Sequence, residues 1–273
     1  MAVNEATKFS PKVDERFKQA SFIRQVTNQD YDWTGVKTVS VYSVDTADMN
    51  DYQRSGTNRY GTPEELGTDI QELPVEQDRS FAYTIDKGNH NEQMMVTRAG
   101  RSLRRQIDEK VIPEYDKYVL EVMVDNAGNA TTEAAIDKDN AYQKFLEANE
   151  LMHDDLVPST GRIALLTYQY YNFLKQGNFV LDTPKGQDFL VTGAIGQTDG
   201  VKLVPVPRTY FPANTELVIA HPSATVAPTK LNEYKTHDNP PGVNGWWIEG
   251  RQLYDAFVLN NKANAIAVHK TPA

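Results

Sequence analysis

The chain has 273 residues, of which 40% are hydrophobic and 24% charged, the composition of an ordinary globular protein. It contains no cysteine, which excludes disulfide scaffolds, thiolate zinc sites and cysteine nucleophiles. Its net charge of −9 argues against tight nucleic-acid binding through a broad basic surface, although it does not exclude a protein that merely encloses nucleic acid.

Residues 1–35 are polar and predict an arm rather than a core. The first ten, MAVNEATKFS, lack the apolar segment of a signal peptide, and no run in the chain approaches the ~18 apolar residues that span a membrane. We therefore expect no membrane association. A short piece from Asp14 to Val26 is amphipathic, with a stripe of Phe17, Ala20 and Ile23 or Arg24. It is too thin to form a core alone, so we expect it to dock on its own chain or on a neighbour.

Two extended segments with apolar residues at strand spacing predict a long β-hairpin. The first runs from Val36 to Val44 and the second from Ile70 to Asp86. A polar stretch, residues 45–69, joins them and holds three glycines and one proline. Because a lone hairpin is at best marginally stable in water, we expect this one to lie on a partner.

The longest predicted element is a helix within residues 89–129. Its apolar residues recur at three- and four-residue intervals, at Val96, Ala99 or Gly100, Leu103, Ile107 and Val111. Because proline lacks an N–H group and clashes one turn back, Pro113 should bend the helix. The apolar pattern resumes from Tyr115 to Met123, so we predict one kinked axis of roughly 35 residues, about 50 Å long.

The rest of the chain predicts strands dispersed among a few helices, without regular βαβ alternation, and therefore an α+β fold. GNATTE (128–133) is predicted as a linker and His237 to Gly245 as a loop. Helices are predicted at Ala134 to Leu156 and Tyr168 to Gln176. Strands are predicted at Arg162 to Thr167, Phe189 to Gly193, Val201 to Val206, Glu216 to Ala220, Trp246 to Glu249, Leu253 to Leu259 and Ala265 to Val268.

Few residues have the types and spacing expected of a catalytic or metal-binding site. His153, Asp154 and Asp155 are the only three adjacent metal-competent side chains, but neighbours on a helix point in different directions, so a solvated helix end is the favoured interpretation. A metal-dependent hydrolase centred there is a remote alternative. The stretch from Gly193 to Gly200 fits no phosphate-binding motif and predicts a β-turn. We expect no enzyme activity, no cofactor and no metal site.

A basic patch lies on the predicted long helix. It consists of Arg98, Arg101, Arg104 and Arg105, with acidic residues close by in the sequence. A solvated, ion-paired face is the favoured interpretation. The alternative is a patch that faces a neighbouring subunit or an enclosed polyanion, and the sequence does not discriminate between these two.

In their order and spacing these parts resemble the major capsid proteins of tailed bacteriophages, which have the Hong Kong 97-type fold, and most closely those of phages and prophages of Gram-positive bacteria. Five segments carry the resemblance: FAYTIDKGNHNE (81–92), VIPEYDKY (111–118), GVKLVPVP (200–207), ELVIAHPSA (216–224) and YDAFVLNNKANAIAV (254–268). Together they touch most of the chain beyond residue 80.

The resemblance implies a domain organisation and a function. Residues 1–35 would be the N-arm, 36–88 the E-loop, 89–129 the spine helix of the peripheral domain, 130–215 the axial domain, and 216–273 closing strands shared by both domains. Pentamers and hexamers would form an icosahedral shell around double-stranded DNA, located in the virion and, during assembly, in the host cytoplasm. An encapsulin-like nanocompartment shell is the alternative. Candidate inter-subunit contacts are Phe17, Tyr52, Arg54, Arg59, Tyr60, Arg98, Arg101 and Arg105.

The chain departs from the founding member of this family at the E-loop, whose lysine forms covalent links between subunits there. The tip from Asp45 to Thr68 contains no lysine, and Arg54 and Arg59 are its only basic residues. We therefore expect denaturing electrophoresis of mature particles to show only monomer; a ladder of cross-linked chains would refute this. About 35 residues precede the E-loop, so we expect a separate scaffolding protein, together with a portal, rather than a fused scaffolding segment.

Overall fold

The computed structural model describes residues 21–28, 30–31, 37–44, 46–63, 65–88, 99–132, 135–176 and 196–271. Its α-helices are α1 (Ala99–Gln106), α2 (Ile112–Asp125), α3 (Ala141–Asp154) and α4 (Tyr168–Gln176). Its strands are β1 (Thr38–Val44), β2 (Thr68–Pro74), β3 (Gln77–Asp86), β4 (Asn129–Thr132), β5 (Ile163–Thr167), β6 (Gln197–Thr198), β7 (Val201–Val206), β8 (Thr215–Ala220), β9 (Thr225–Val226), β10 (Thr229–Asp238), β11 (Gly245–Tyr254), β12 (Phe257–Val258) and β13 (Ile266–Lys270).

A mixed six-stranded sheet in the order β4-β13-β8-β5-β7-β6 forms the centre of the fold. All five residues of β5 are buried, because helices cover both faces of the sheet. Ile163 and Leu165 point to α2, whereas Ala164 and Leu166 point to α3 and α4. The alternation of a strand therefore divides one apolar run between two cores.

The long predicted helix is present, and its described part runs from residue 99 to residue 125. A π-helical turn (Ile107–Val111) separates α1 from α2 and ends two residues before Pro113. Proline offers no N–H to the carbonyl one turn back, so a widened turn at this point takes up the irregularity. The 27 residues span about 40 Å at 1.5 Å per residue. The predicted start at residues 89–98 lies outside the described residues.

The predicted hairpin is confirmed in part. β1 and β2 pair antiparallel from Thr38 with Pro74 to Val44 with Thr68. The second predicted strand, Ile70 to Asp86, is wrong as one strand, because the chain leaves β2 after Pro74. The backbone N–H of Glu76 binds Oδ2 of the buried Asp255 at 2.9 Å instead of a strand partner. β3 then pairs with β11 in a separate three-stranded sheet, in the order β10-β11-β3.

Asp255 also attaches the base of the β1–β2 hairpin to the long helix. Its Oδ1 accepts a hydrogen bond from the Tyr118 hydroxyl at 2.6 Å and one from the backbone N–H of Ala256 at 2.8 Å. Burial raises the pKa of Tyr118, and the Asp255 carboxylate raises it further. One buried carboxylate thus connects the hairpin base, α2 and the end of β11.

Several other predictions are corrected by long-range pairing. The linker at 128–133 contains β4, which pairs in parallel with β13. The helix predicted from Ala134 begins at Ala141. Strand β10 occupies residues with no predicted strand and extends into the predicted loop at 237–245. The strand predicted from Leu253 to Leu259 is divided between the end of β11 and β12.

Local signals predicted other elements well. α4 and β7 have the predicted bounds, and the described part of the 193–200 stretch holds β6 and the tight turn that connects it to β7. Asp199 and Gly200 form that turn with φ of 47° and 75°, the left-handed values that a two-residue hairpin needs. The predicted strand at Phe189 to Gly193 lies outside the described residues.

The described end of the arm docks on its own chain. Phe22, Ile23 and Val26 are buried against α2 and the central sheet. The backbone N–H of Asn28 donates to the carbonyl of Thr225 at 2.7 Å, beside a parallel bridge to Val226. Within the described residues, no helix is both long enough and apolar enough to cross a membrane.

Candidate functional site

The β1–β2 hairpin has one face that packs on its own chain. Val39 and Val41 point towards a small core around Leu73, Val226 and Leu259. The Gln71 amide strengthens this attachment, because it donates to the carbonyl of Val258 at 3.0 Å and accepts from the N–H of Asn260 at 3.0 Å. The side chain of Asn261 also donates to Ser43. The hairpin therefore has a fixed direction relative to the body of the protein.

The other side of the hairpin, here called its outer face, has no cover in the described residues. It consists of Thr38, Ser40, Tyr42, Val44, Thr68, Ile70 and Glu72. Tyr42 and Ile70 are directly opposite each other and are 66% and 57% exposed, and Val44 beside them is 64% exposed. Paired apolar side chains on a solvated strand face indicate a surface that a partner covers.

The tip of the hairpin continues this apolar surface. Among the described residues, seven of the ten exposed large apolar side chains lie between residues 42 and 70, namely Tyr42, Val44, Met49, Tyr52, Tyr60, Leu66 and Ile70. Tyr52 and Tyr60 pack edge to face with ring centroids 5.1 Å apart. That concentration in one element distinguishes the hairpin from the scattered apolar residues of any ordinary surface.

Backbone contacts order the tip without burying it. The N–H of Gln53 donates to the carbonyl of Arg59 at 3.0 Å, and Nε of Arg59 donates to the carbonyl of Gly56 at 3.2 Å. Arg54 and Arg59 are both exposed, as are Tyr52 and Tyr60. The structure thus brings these four predicted contact residues together at the tip. It adds Tyr42 and Ile70, which the sequence analysis did not select.

The basic patch on the long helix is divided in the structure. Arg101 and Arg104 are exposed, whereas Arg105 is half-buried, with its Nε 3.2 Å from Oε1 of Glu109. Arg98 and Phe17, two further candidate contact residues, lie outside the described residues.

The remote hydrolase alternative gains no support from geometry. His153, Asp154 and Asp155 are exposed at the end of α3, and Oδ2 of Asp155 accepts a hydrogen bond from Asn129 at 2.7 Å. In the described part of the chain, no three His, Asp or Glu side chains are placed to share one metal ion.

A buried carboxylate lies where the arm meets the long helix. Asp116 is 1% exposed, and its Oδ1 accepts a hydrogen bond from the Ser21 hydroxyl at 2.7 Å. Burial raises the pKa of Asp116 to about 6, although the hydrogen bonds from Ser21 and the backbone of Phe22 oppose the rise. Folding therefore favours the protonated carboxyl, and stability should fall as the pH rises from about 4 to about 6.

We expect Asp116→Asn to remove this pH dependence, because the amide oxygen still accepts from Ser21 and carries no charge. Relative to the wild type, the variant should gain on the order of 2–3 kcal/mol in the free energy of unfolding between pH 4 and pH 7. Urea unfolding of both proteins across this range measures the gain. A wild-type-minus-variant difference that is constant with pH would contradict the assignment. Asp125→Asn, at an exposed position of the same helix, is the control.

Comparison with known proteins relates this geometry to solved structures. A structure from Mycobacterium phage Che8 superposes with a TM-score of 0.83 at 18% identity, covering 97% of this chain and 96% of that one. A capsid structure of cyanophage P-SCSP1u matches with a TM-score of 0.78 at 12% identity, covering 98% and 93%. The asymmetric unit of the mature capsid of bacteriophage PhiM1 matches with a TM-score of 0.77 at 13% identity, covering 98% and 92%.

No protein-family model matches the sequence, and no curated protein sequence matches it. The likeness therefore lies in the tertiary structure, over almost the whole length of the chain and of the phage structures. The chain has the α+β Hong Kong 97-like fold of phage capsid structures.

Proposed function

We propose that this chain is the major capsid protein of a tailed bacteriophage, which assembles into pentamers and hexamers of an icosahedral shell. The observation that carries the proposal is the hairpin, whose outer face and tip expose apolar side chains on an element that is firmly attached at its base. Monomeric proteins rarely expose contiguous apolar surface of this kind, and burial between subunits would stabilise it. The shared fold with phage capsid structures supports the same function.

The domain assignment belongs to this proposal. Residues 1–35 act as the N-arm and 36–88 as the E-loop, which reaches over a neighbouring subunit. The spine helix (89–129) belongs to the peripheral domain, 130–215 form the axial domain, and 216–273 provide strands to both. The proposed contact residues remain Phe17, Tyr52, Arg54, Arg59, Tyr60, Arg98, Arg101 and Arg105, joined by Tyr42 and Ile70.

The proposed shell encloses double-stranded DNA without recognising its sequence. A net charge of −9 suits this role, because a lining that gripped the phosphate backbone would hinder packaging and ejection. A separate scaffolding protein and a portal are further proposed partners, on the resemblance alone. The protein would function in the virion as a structural, non-enzymatic subunit after assembling in the host cytoplasm.

The test is assembly of the purified chain, alone and with a candidate scaffolding protein. Size-exclusion chromatography with light scattering, followed by negative-stain imaging, should find rings, pentamers, hexamers or closed shells. A clean monomer at high concentration, with scaffolding protein present, would overturn the proposal. Particles from the native host should contain DNA; an enzyme cargo in its place would favour the nanocompartment alternative.

A further inference from the structure

The turn that ends α3 carries an exposed leucine in an unfavourable backbone conformation. Leu156 has φ of 58°, in the left-handed region where Cβ crowds the following carbonyl oxygen. The N–H of Leu156 donates to the carbonyl of His153, and the N–H of Val157 donates to the carbonyl of Met152, both at 3.0 Å. This pair of hydrogen bonds defines the helix-ending motif in which glycine usually occupies the position of Leu156.

The Leu156 side chain gains nothing from its own chain in return. It is 90% exposed, more than any other large apolar side chain of the described residues outside the hairpin and its tip. The turn around it is nevertheless held from inside, because the buried Arg162 donates to the carbonyls of Val157 at 2.6 Å and Pro158 at 2.9 Å. A strained, solvated and rigidly presented apolar side chain is typical of a contact site.

The same chain has a cleft whose chemistry complements this turn. The cleft has a volume of about 70 Å³ and lies between the π-helical turn and the three-stranded sheet. Its apolar lining consists of Phe81, Val111, Tyr234 and Tyr254. Its charged lining consists of Arg79, Lys110, Arg251 and Glu114. Arg79 lies 3.5 Å from Glu114, and Arg251 forms an ion pair with Asp78, so the rim keeps a net excess of one positive charge, on the exposed Lys110. Leu156, by contrast, directly follows two exposed aspartates, Asp154 and Asp155.

A glycine keeps the aromatic floor of the cleft open. Phe81 and Tyr234 lie with ring centroids 6.0 Å apart across Gly250 of the central strand. A Cβ at Gly250 would lie 2.5 Å from the Phe81 ring, so only glycine lets the two rings approach the sheet at this point. The floor is therefore a preformed aromatic surface, the kind of pocket in which an apolar anchor binds well.

We propose that Leu156 of one subunit inserts into this cleft on a second copy of the chain, with Asp154 and Asp155 facing the basic rim. The inference rests on the shell function proposed above and identifies one of its subunit contacts. Charge complementarity selects the occupant, since the turn carries two exposed aspartates and the rim keeps one excess positive charge on Lys110. Because the turn and the cleft consist of different residues, the contact is head-to-tail, the arrangement that generates a ring when the rotation closes.

The chain contains no cysteine, so in a cross-linking test only the introduced cysteines can form disulfides. One chain carries Leu156→Cys and the other Gln106→Cys, at a residue that lines the cleft. Mild oxidation after co-assembly should link one chain of each kind, and a chain with both substitutions should form a ladder. Leu156→Cys combined with Asp238→Cys, on an exposed strand away from the cleft, should not cross-link. Assembly without the first cross-link would overturn this contact, whereas failure of the wild type to assemble would overturn the shell function itself.

A second measurement distinguishes an effect on this contact from an effect on the folding of the subunit. Asparagine tolerates left-handed φ but lacks the apolar side chain, so Leu156→Asn should keep the unfolding midpoint of the isolated subunit or raise it. It should raise the protein concentration for half-maximal assembly by about tenfold or more, given the apolar surface lost from each contact. Leu156→Met, which keeps an apolar side chain, should stay within about twofold of the wild type. Assembly of the asparagine variant at the wild-type concentration would overturn the proposal.

Discussion

Replacement of Arg162 by methionine is expected to lower the free energy of unfolding of the subunit by about 3–5 kcal/mol. Arg162 is 1% exposed at the start of the buried strand β5. Its guanidinium donates to the backbone carbonyls of Asn149, Val157 and Pro158 and to the Asn149 side chain. Burial lowers the pKa of the group, but arginine stays protonated at any physiological pH. Methionine would remove the guanidinium donor from all of these acceptors, and the Asn149 side chain among them is buried.

Arg162→Met should also affect residues that Arg162 does not contact, because its partner Asn149 makes a further hydrogen bond. Asn149 is itself buried, and its Nδ2 donates to Oδ2 of Asp199 at 2.6 Å. Asp199 lies in the tight turn between β6 and β7, so Arg162 connects the end of α3 to that turn. Loss of the guanidinium should therefore loosen two connections of the central sheet at once.

Chemical denaturation of the isolated subunit measures this prediction. Arg162→Lys is an informative intermediate, since lysine keeps the charge but cannot donate in the forked geometry of a guanidinium. Arg251→Met is the matched control: Arg251 forms a two-bond ion pair with Asp78 but is exposed and screened by solvent, so its loss should destabilise the subunit much less than the loss of Arg162. Equal losses for Arg162→Met and Arg251→Met would show that the buried network contributes little.

Introducing a charge on the outer face of the hairpin should abolish assembly and leave the subunit folded. Tyr42→Glu and Ile70→Asp each place a carboxylate where we propose that a neighbouring subunit covers the strand. An unpaired charge buried in such a contact costs several kcal/mol, and every subunit of a shell repeats it. In the isolated chain both positions are exposed, so the unfolding free energy should change by only about 0.5 kcal/mol.

Two measurements are needed for this prediction. Thermal or urea unfolding should show a folded subunit for both variants, and light scattering should show no particles at concentrations where the wild type forms them. Tyr42→Phe is the conservative control and should assemble normally, since the aromatic ring remains. Normal particles from Tyr42→Glu would mean that the outer face is not a subunit contact, whatever the rest of the hairpin does.

Part of this fold followed from local sequence signals alone. The helix from Tyr168 to Gln176 and the strand from Val201 to Val206 have the predicted bounds, because their patterns are strong and turn residues bound them. The long helix and the pairing of the hairpin were also predicted, since periodicity reveals an element whichever partner it packs on.

Other features depended on residues far apart in the chain. The division of Ile70–Asp86 into β2 and β3 results from pairing with β11 and from the carboxylate of Asp255, about 180 positions away. The parallel pairing of β4 with β13 likewise joins distant segments. No local pattern encodes such pairs, because their free energy exists only when both segments are in place.

The candidate contact residues also fall into some that were predicted from the sequence and some that only the tertiary structure revealed. Tyr52 and Tyr60 were among the contact residues proposed with the family resemblance, whereas Tyr42 and Ile70 were predicted only as members of strands. Their importance depends on which hairpin face the body of the protein covers, and the packing of Val39 and Val41 decides that. The left-handed φ of Leu156 and the burial of Arg162 are likewise tertiary facts. The sequence by itself determined most helices and strands and their amphipathic faces. The tertiary structure decided which of those faces remain exposed, because a face is buried only when a second element packs against it.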